Sequence, residues 1–376
     1  MRTPFPRSAA RAAAGLLLLS MLAGCGGKPE TTPSPSATTA ATDPAAQAEL
    51  DTQLGRLTGY ITEEERQAAL DLWLQIRPLR EARLEAGQWA WRPREASLLT
   101  ELSGLYDQYT IKYLEGDEAG FGYTHPEEKT LISYSIGDDG SLTADPSMAG
   151  QLTGWTEEEL LTLWKDMTDL LPEGSFGDFK RLTFFTDGPG ETSAWVRAID
   201  DPGDTWEIAV DPADSGDRRY FVETILHEYC HYLTLNSGQV TYTADQTTDT
   251  YNEEGMVSHK GSYMDDFYQA YWTGYIDDCL SCGDTYNFFL RHYDDFVTAY
   301  ASTNPSEDIA EAFAYFVLWP ESGQPADAVW RQKIDFFYAY PELVAFRDQV
   351  RGDLGLNPDQ AYEDLFPAAD NSAEAA

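Results

Sequence analysis

Apolar residues recur every three or four positions through most of this chain and alternate with polar ones in four short stretches. The helical period runs through ITEEERQAALDLWLQIRPLREARLEAG (61–87) and ASLLTELSGLYDQYTIKYLEG (96–116), where Thr62 and Glu65 have capping-box spacing. A further helix is expected from Thr156-Glu-Glu-Glu159 to near Leu171-Pro172. KTLISYSIG (129–137) alternates as a strand does, and KRLTFFTDG (180–188), SAWVRAID (193–200) and TWEIAVD (205–211) are β-rich runs parted by Gly, Pro and Asp. A buried helix is expected from about Arg219 to Leu235. Residues 238–260 read as a polar loop. Beyond them the helical period returns in SYMDDFYQAYWTGYI, TYNFFLRHYDDFVTAYAS, SEDIAEAFAYFVLW and ADAVWRQKIDFFYAYPELVAFRDQVRGDL. Helices, then a few strands, then helices point to the α+β class.

The two ends change this picture. Arg2, Arg7 and Arg11 precede a short apolar run, Leu16–Leu22, that is too short to span a bilayer. Leu22-Ala23-Gly24-Cys25 resembles a bacterial lipobox, which implies a signal peptide over 1–24 and lipid on Cys25. Residues 25–48, rich in Pro, Thr, Ser and Ala, cannot bury a core and are expected to be a flexible tether. The tail 367–376 is expected to be disordered. About 320 residues lie between, enough for one large domain or two smaller ones. The expected division is a mostly helical region over 49–175 and a second unit over 176–366.

Charge and cysteines narrow the partners. The formal net charge is −39, with 64 acidic and 25 basic residues. Such a surface repels nucleic acid and anionic lipid, so membrane attachment would rest on the lipid at Cys25. Cys279 and Cys282 form C-x-x-C in a polar turn, for which a local disulfide is the expected state outside the cytoplasm. Cys230, off the histidine face of its helix, is expected to be a buried thiol.

The candidate chemistry lies in His227-Glu228-Tyr229-Cys230-His231. Positions i and i+4 share one helix face, so His227 and His231 can turn to one metal ion while Glu228 takes a proton from a metal-bound water. A hydrolytic zinc site needs a third protein ligand and an open position. In YASTNPSEDIAEAFAYF, Asn304, Pro305 and Glu307 suit the N-cap, N1 and N3 positions of a helix. Glu307 and Glu311 share one face, so that either carboxylate could reach the ion and the other hold a ligand histidine. Equally, Glu307 could be a capping acid and Glu311 a solvated one. His125, His259 and His292 lack a helical partner at ligand spacing, and His259 is a cleft candidate only through its place after the helix.

Tyr300, Glu307 seven residues on, and Ala310-Glu311-Ala312-Phe313 match position by position the second catalytic segment of gluzincin peptidases of the anthrax lethal factor type, which include the clostridial Pro-Pro endopeptidases. The chain also resembles zinc-binding metallopeptidase lipoproteins of bacteria. The resemblance covers two segments, near 219–235 and 300–317, and 75 residues separate His231 from Glu307, more than in the compact members. It implies a zincin-like fold: a small twisted sheet, the H-E-x-x-H helix and a mostly helical C-terminal lobe. It implies Zn²⁺ held by His227, His231 and Glu307, with Glu311 behind a ligand histidine, Glu228 as general base and Tyr300 on the oxyanion. An alignment slipped by one turn would make Glu311 the ligand instead. In zincins the last strand borders the cleft, and TWEIAVD is the candidate for that edge, with an ordinary interior strand an equal reading of the same residues.

The expected function is thus a lipid-anchored zinc endopeptidase of the bacterial cell envelope, with a peptide or protein as substrate. Two other classes fit the same residues: a non-peptidase zinc hydrolase, and a binding or adhesion lipoprotein on a degenerate zincin fold. Turnover and metal content separate the three.

Overall fold

A computed structural model describes residues 43–117, 127–148, 152, 154–253, 255–283, 285–322 and 326–366. Cys25, the leader 1–24, most of the tether 25–48, His125 and the tail 367–376 lie outside the described residues.

Three helices come first: α1 (Pro44–Leu54), α2 (Glu63–Glu85) and α3 (Pro93–Leu114). The capping box at Thr62 is made, with Thr62 Oγ1 accepting from Glu65 N–H at 3.2 Å and the Glu65 carboxylate accepting from Thr62 N–H at 2.8 Å. These helices bury a core of their own, centred on Leu50, Leu70, Trp73, Ile76, Leu102 and Tyr106.

The next elements belong to a second, larger core. β1 (Lys129–Ile136), β2 (Leu142–Ala144), α4 (Glu157–Leu170), β3 (Phe179–Thr186), β4 (Ala194–Ala198) and β5 (Trp206–Val210) supply one mixed sheet and a helix against it. The strand order is β2-β1-β3-β5-β4, with β3 and β5 parallel and the other pairs antiparallel. The packing therefore divides after α3, near residue 114, and not at 175. The reason is pairing: β1 hydrogen-bonds along β3, with Ile132 opposite Phe184 and Tyr134 opposite Leu182, so their apolar faces share one interior.

A second correction concerns the sheet edge. TWEIAVD is the last of these strands in the chain but lies inside the sheet, between β3 and β4, and every residue of β5 is buried. The edge on that side of the sheet is β4, and β2 forms the opposite edge. The single charge on β5, Glu207, is tolerated because Arg197 and Arg181 flank it, Arg197 Nη2 at 2.7 Å and Arg181 Nη1 at 3.4 Å.

The long apolar helix α5 (Arg218–Leu235) follows, capped by Asp217, and then a small sheet of β6 (Val240–Tyr242), β7 (Asn252–Glu253) and β8 (Met256–Ser258) in the order β6-β8-β7. The polar loop expected over 238–260 thus contains strands. At two or three residues each they are too short for alternation to show. The α-helices that follow among the described residues are α6 (Tyr263–Tyr271), α7 (Ile276–Ser281), α8 (Thr285–Arg291), α9 (Pro305–Leu318), α10 (Val329–Asp335) and α11 (Pro341–Asp353). α9 is buried on almost every side and packs against α5 within the larger core.

The α1–α3 layer joins this body through charge. Asp277 on α7 receives Arg80, Arg83 and the Trp91 indole, and Arg291 on α8 meets Asp107 of α3 and Asp278 of α7. The whole is mixed α+β, with a five-stranded sheet, a three-stranded sheet and a helical C-terminal half.

Candidate metal centre

Two helices build the centre. Asp217 caps α5, its carboxylate accepting from Arg219 N–H at 3.0 Å and Tyr220 N–H at 3.4 Å. The α5 helix then runs unbroken through His227 and His231, both buried. Asn304 caps α9 by accepting from Glu307 N–H at 2.9 Å, with Pro305 at its first position. Where α9 crosses α5, Glu307 faces the two imidazoles.

His227 Nε2 lies 3.0 Å from His231 Nε2 and 3.0 Å from Glu307 Oε2, and His231 Nε2 lies 3.3 Å from the same oxygen. Each of these atoms can offer a lone pair. Three lone pairs converging in a buried space repel one another unless a cation sits among them. Bonds of about 2.0–2.1 Å to a tetrahedral ion set donor atoms about 3.3 Å apart, close to the separations here. His227, His231 and Glu307 can therefore hold a metal ion.

The electrostatics say the same. Burial works to lower the His227 pKa, but hydrogen bonds and charge from Glu307 and Glu311 outweigh it and hold the value well above the ordinary one. Burial works to raise Glu307, and the opposed charge and hydrogen bonds of His231 and His227 bring it far below the carboxylate range. The pocket is built to keep a positive charge between them.

Glu311 lies on the other side of His227. Its Oε1 is 2.9 Å from His227 Nδ1, and its Oε2 accepts from Thr298 Oγ1 at 2.7 Å. It thus sets the ring's orientation and leaves Nε2 to face Glu307. Thr298 escaped the sequence reading because nothing in spacing marks it. The same hydroxyl accepts from Ala301 N–H at 3.0 Å and ties Glu311 to the turn that carries Tyr300. His231 Nδ1, by contrast, has no hydrogen-bond partner among the described residues.

Glu228 lines the cleft together with His231 and Glu307 of the ligand cluster. Burial pushes its carboxyl up to about 7 against the pull of His231 and His227, and the backbone of Val196 on β4 hydrogen-bonds to it. The cleft is about 1070 Å³, with Glu228, His231 and Glu307 in its wall. The edge strand β4 (Trp195 to Ala198) forms one side, and Tyr242 and Glu253 come from the small sheet. Tyr300 is half-buried, its ring 5.8 Å from that of His227, and it is not among the described residues that wall the cleft.

Other candidates fall elsewhere. His259 braces the small sheet, with Nε2 2.8 Å from Thr241 Oγ1 and Nδ1 3.1 Å from the Gly238 carbonyl. His292 is buried beside Asp295 and Asp278, under α1. The disulfide expected between Cys279 and Cys282 is absent, and both are thiols. In place of a bond between them, Cys279 Sγ turns to the carbonyls of Ser302 and Thr303, and Cys282 Sγ to the carbonyl of Cys279. Cys230 is a buried thiol whose Sγ faces the Ile309 carbonyl at 3.7 Å.

A buried ion pair next to the centre is a further finding. Lys333 Nζ is 2.6 Å from Asp308 Oδ2, which also accepts from Trp272 Nε1 at 2.8 Å, and both charged side chains are wholly buried. Asp308 follows Glu307 in α9, so the pair anchors the turn that presents Glu307.

No protein-family model, curated protein or solved structure matches this chain.

Proposed function

We propose that this protein is a zinc-dependent endopeptidase of the zincin-like kind, held to the outer side of a bacterial membrane by lipid on Cys25. The observation that carries the reading is the convergence of His227 Nε2, His231 Nε2 and Glu307 Oε2 beside a buried Glu228 that opens on a large cleft. Two imidazoles and one carboxylate are a donor set that suits zinc and leaves a position for water. Bound there, zinc would supply a Lewis acid and a water of pKa near 7.

The remaining work falls to side chains. His227 is oriented by Glu311, and Glu311 by Thr298, which directs Nε2 inward. Glu228, buried beside the ligands, can take a proton from the attacking water and return it to a leaving amine. The resemblance assigns Tyr300 to the oxyanion, and the ring contact with His227 puts it beside the ligand cluster. A substrate in extended form can pair with the edge strand β4, which forms the wall of the cleft beside Glu228.

The test is metal content and casein or peptide-library cleavage of the wild type beside Glu228→Gln. We expect one zinc per chain in both and cleavage in the wild type alone, the variant losing about 10²-fold or more. Equal cleavage by the two proteins would sink the mechanism. Zinc without cleavage would move the reading to a non-peptidase hydrolase, and failure to take up zinc to a binding lipoprotein.

A further inference from the structure

Cys279 and Cys282 bracket the last turn of α7. Cys282 N–H donates to the Cys279 carbonyl at 3.4 Å, which closes the turn. A closed turn of this kind keeps its end Cα atoms within about 7 Å, a separation that a disulfide can span. The two thiols are not equivalent. Cys279 is 5% exposed, and its Sγ lies 3.7 Å from the Ser302 carbonyl and 3.5 Å from that of Thr303. Cys282 is half-buried and its Sγ points back to the Cys279 carbonyl at 3.0 Å. The carbonyls under Cys279 belong to the end of the Tyr300–Ser302 turn and to the residue before Asn304, the cap of α9. The buried thiol is therefore a strut beneath the segment that runs from Tyr300 into Glu307.

We propose that Cys279 and Cys282 form a thiol–disulfide switch, and that oxidation withdraws Cys279 Sγ from the carbonyls of Ser302 and Thr303 and loosens the Tyr300 turn. The co-reactant is a small or protein disulfide, RSSR. The thiolate of the more accessible Cys282 attacks one sulfur of RSSR, forming a mixed disulfide and expelling RS⁻. Cys279 Sγ then attacks the Cys282 sulfur and expels the second RS⁻. The two thiol protons end on the two RSH molecules, and the protein's two-electron oxidation matches the reduction of RSSR. Burial pushes the Cys279 thiol well above its ordinary value, so closure is slow unless Cys282 is first activated as the mixed disulfide. Cys230 is outside this chemistry, because its Sγ is buried against Ile309 on another helix pair.

The test equilibrates the full-length protein in reduced and oxidised glutathione buffers and maps disulfides by mass spectrometry of alkylated peptides. Hydrogen exchange at the amides of 299–304 is read in parallel. We expect a Cys279–Cys282 disulfide in the oxidising buffer. We also expect exchange in the Tyr300 turn faster by a few-fold, the loss of about one weak hydrogen bond. Cys279→Ser keeps a donor toward Ser302 and Thr303 but cannot close the intramolecular disulfide, so its exchange should match the reduced protein in both buffers even where Cys282 carries a glutathione. Cys282→Ser serves the same purpose if Cys279→Ser folds poorly. Only glutathione adducts, or a disulfide that leaves exchange at 299–304 unchanged, would overturn the switch. Neither readout needs peptidase activity. A parallel fall in cleavage on oxidation is expected only if Tyr300 acts as proposed above.

Discussion

At the scale of single residues, the candidate centre is framed by groups that stand behind its ligands. Glu311 holds His227 and Thr298 holds Glu311, a chain of bonds at 2.9 and 2.7 Å. Removing such supports commonly lowers metal affinity by about 10–100-fold. Glu311→Gln is expected at the upper end, and Thr298→Val at about tenfold, since Glu311 keeps its bond to His227. Competition with a chromophoric zinc chelator reads both, and unchanged affinity in Glu311→Gln would show that His227 is positioned by packing alone. Tyr300→Phe should lower the cleavage rate by about 10²–10³ with zinc content unchanged, the loss typical of one oxyanion donor. Zinc lost along with the hydroxyl would place Tyr300 among the supports of the metal. The match of Tyr300, Glu307 and Glu311 to a known segment could be read from sequence. Thr298 could not, because a lone threonine two residues before a tyrosine carries no periodic signal.

At the scale of elements, α5 and α9 form the working unit, and their crossing is set by contacts outside it. The Lys333–Asp308 pair ties α10 to α9 one residue past Glu307, inside an aromatic box where Lys333 Nζ stands 3.9 Å from the centroid of Phe296. Two buried charges rarely stabilise more than an apolar pair of the same size, yet breaking one costs about 3–5 kcal/mol. Lys333→Met should cost that much in urea denaturation, and a second change, Asp308→Leu, should recover most of it. If the single variant unfolds at the wild-type midpoint, the pair is not an anchor. The strands carry a different lesson. SAWVRAID and TWEIAVD read alike as β-rich runs, but β4 is the edge and β5 the interior. Strand order depends on which neighbour each strand finds, and that is not written in its own alternation.

At the scale of the molecule, a seam of charge joins the α1–α3 layer to the body. Arg291 is wholly buried between Asp278 and Asp107. Burial would raise the Asp278 carboxyl, but the charge of Arg291, with His292 3.9 Å away, wins and holds it below the usual range. A folded value below the unfolded one gives stability that is present above about pH 4 and is lost as pH falls through the folded value. Asp107 runs the other way, since burial outweighs Arg291 and raises it, so part of the acid loss is offset. Asp278→Asn should lower stability at pH 7 by about 3 kcal/mol and flatten its fall in acid. Urea midpoints taken between pH 3 and 7 would show this, and an equally steep fall in the variant would place the acid-sensitive step elsewhere. What the sequence determined by itself is what depends on near neighbours: the helix periods, the caps at Thr62 and Asn304, and two imidazoles four residues apart on one helix face. Only the tertiary structure decided what depends on distant pairs. It set Glu307 rather than Glu311 against both imidazoles, β4 at the edge, the packing boundary after α3, and Cys279 against Ser302 and Thr303 instead of Cys282. The physical reason is that backbone geometry fixes positions within a turn or two, whereas which of two carboxylates or two sulfurs is in reach is settled by how helices cross, and that follows from burying the whole core at once.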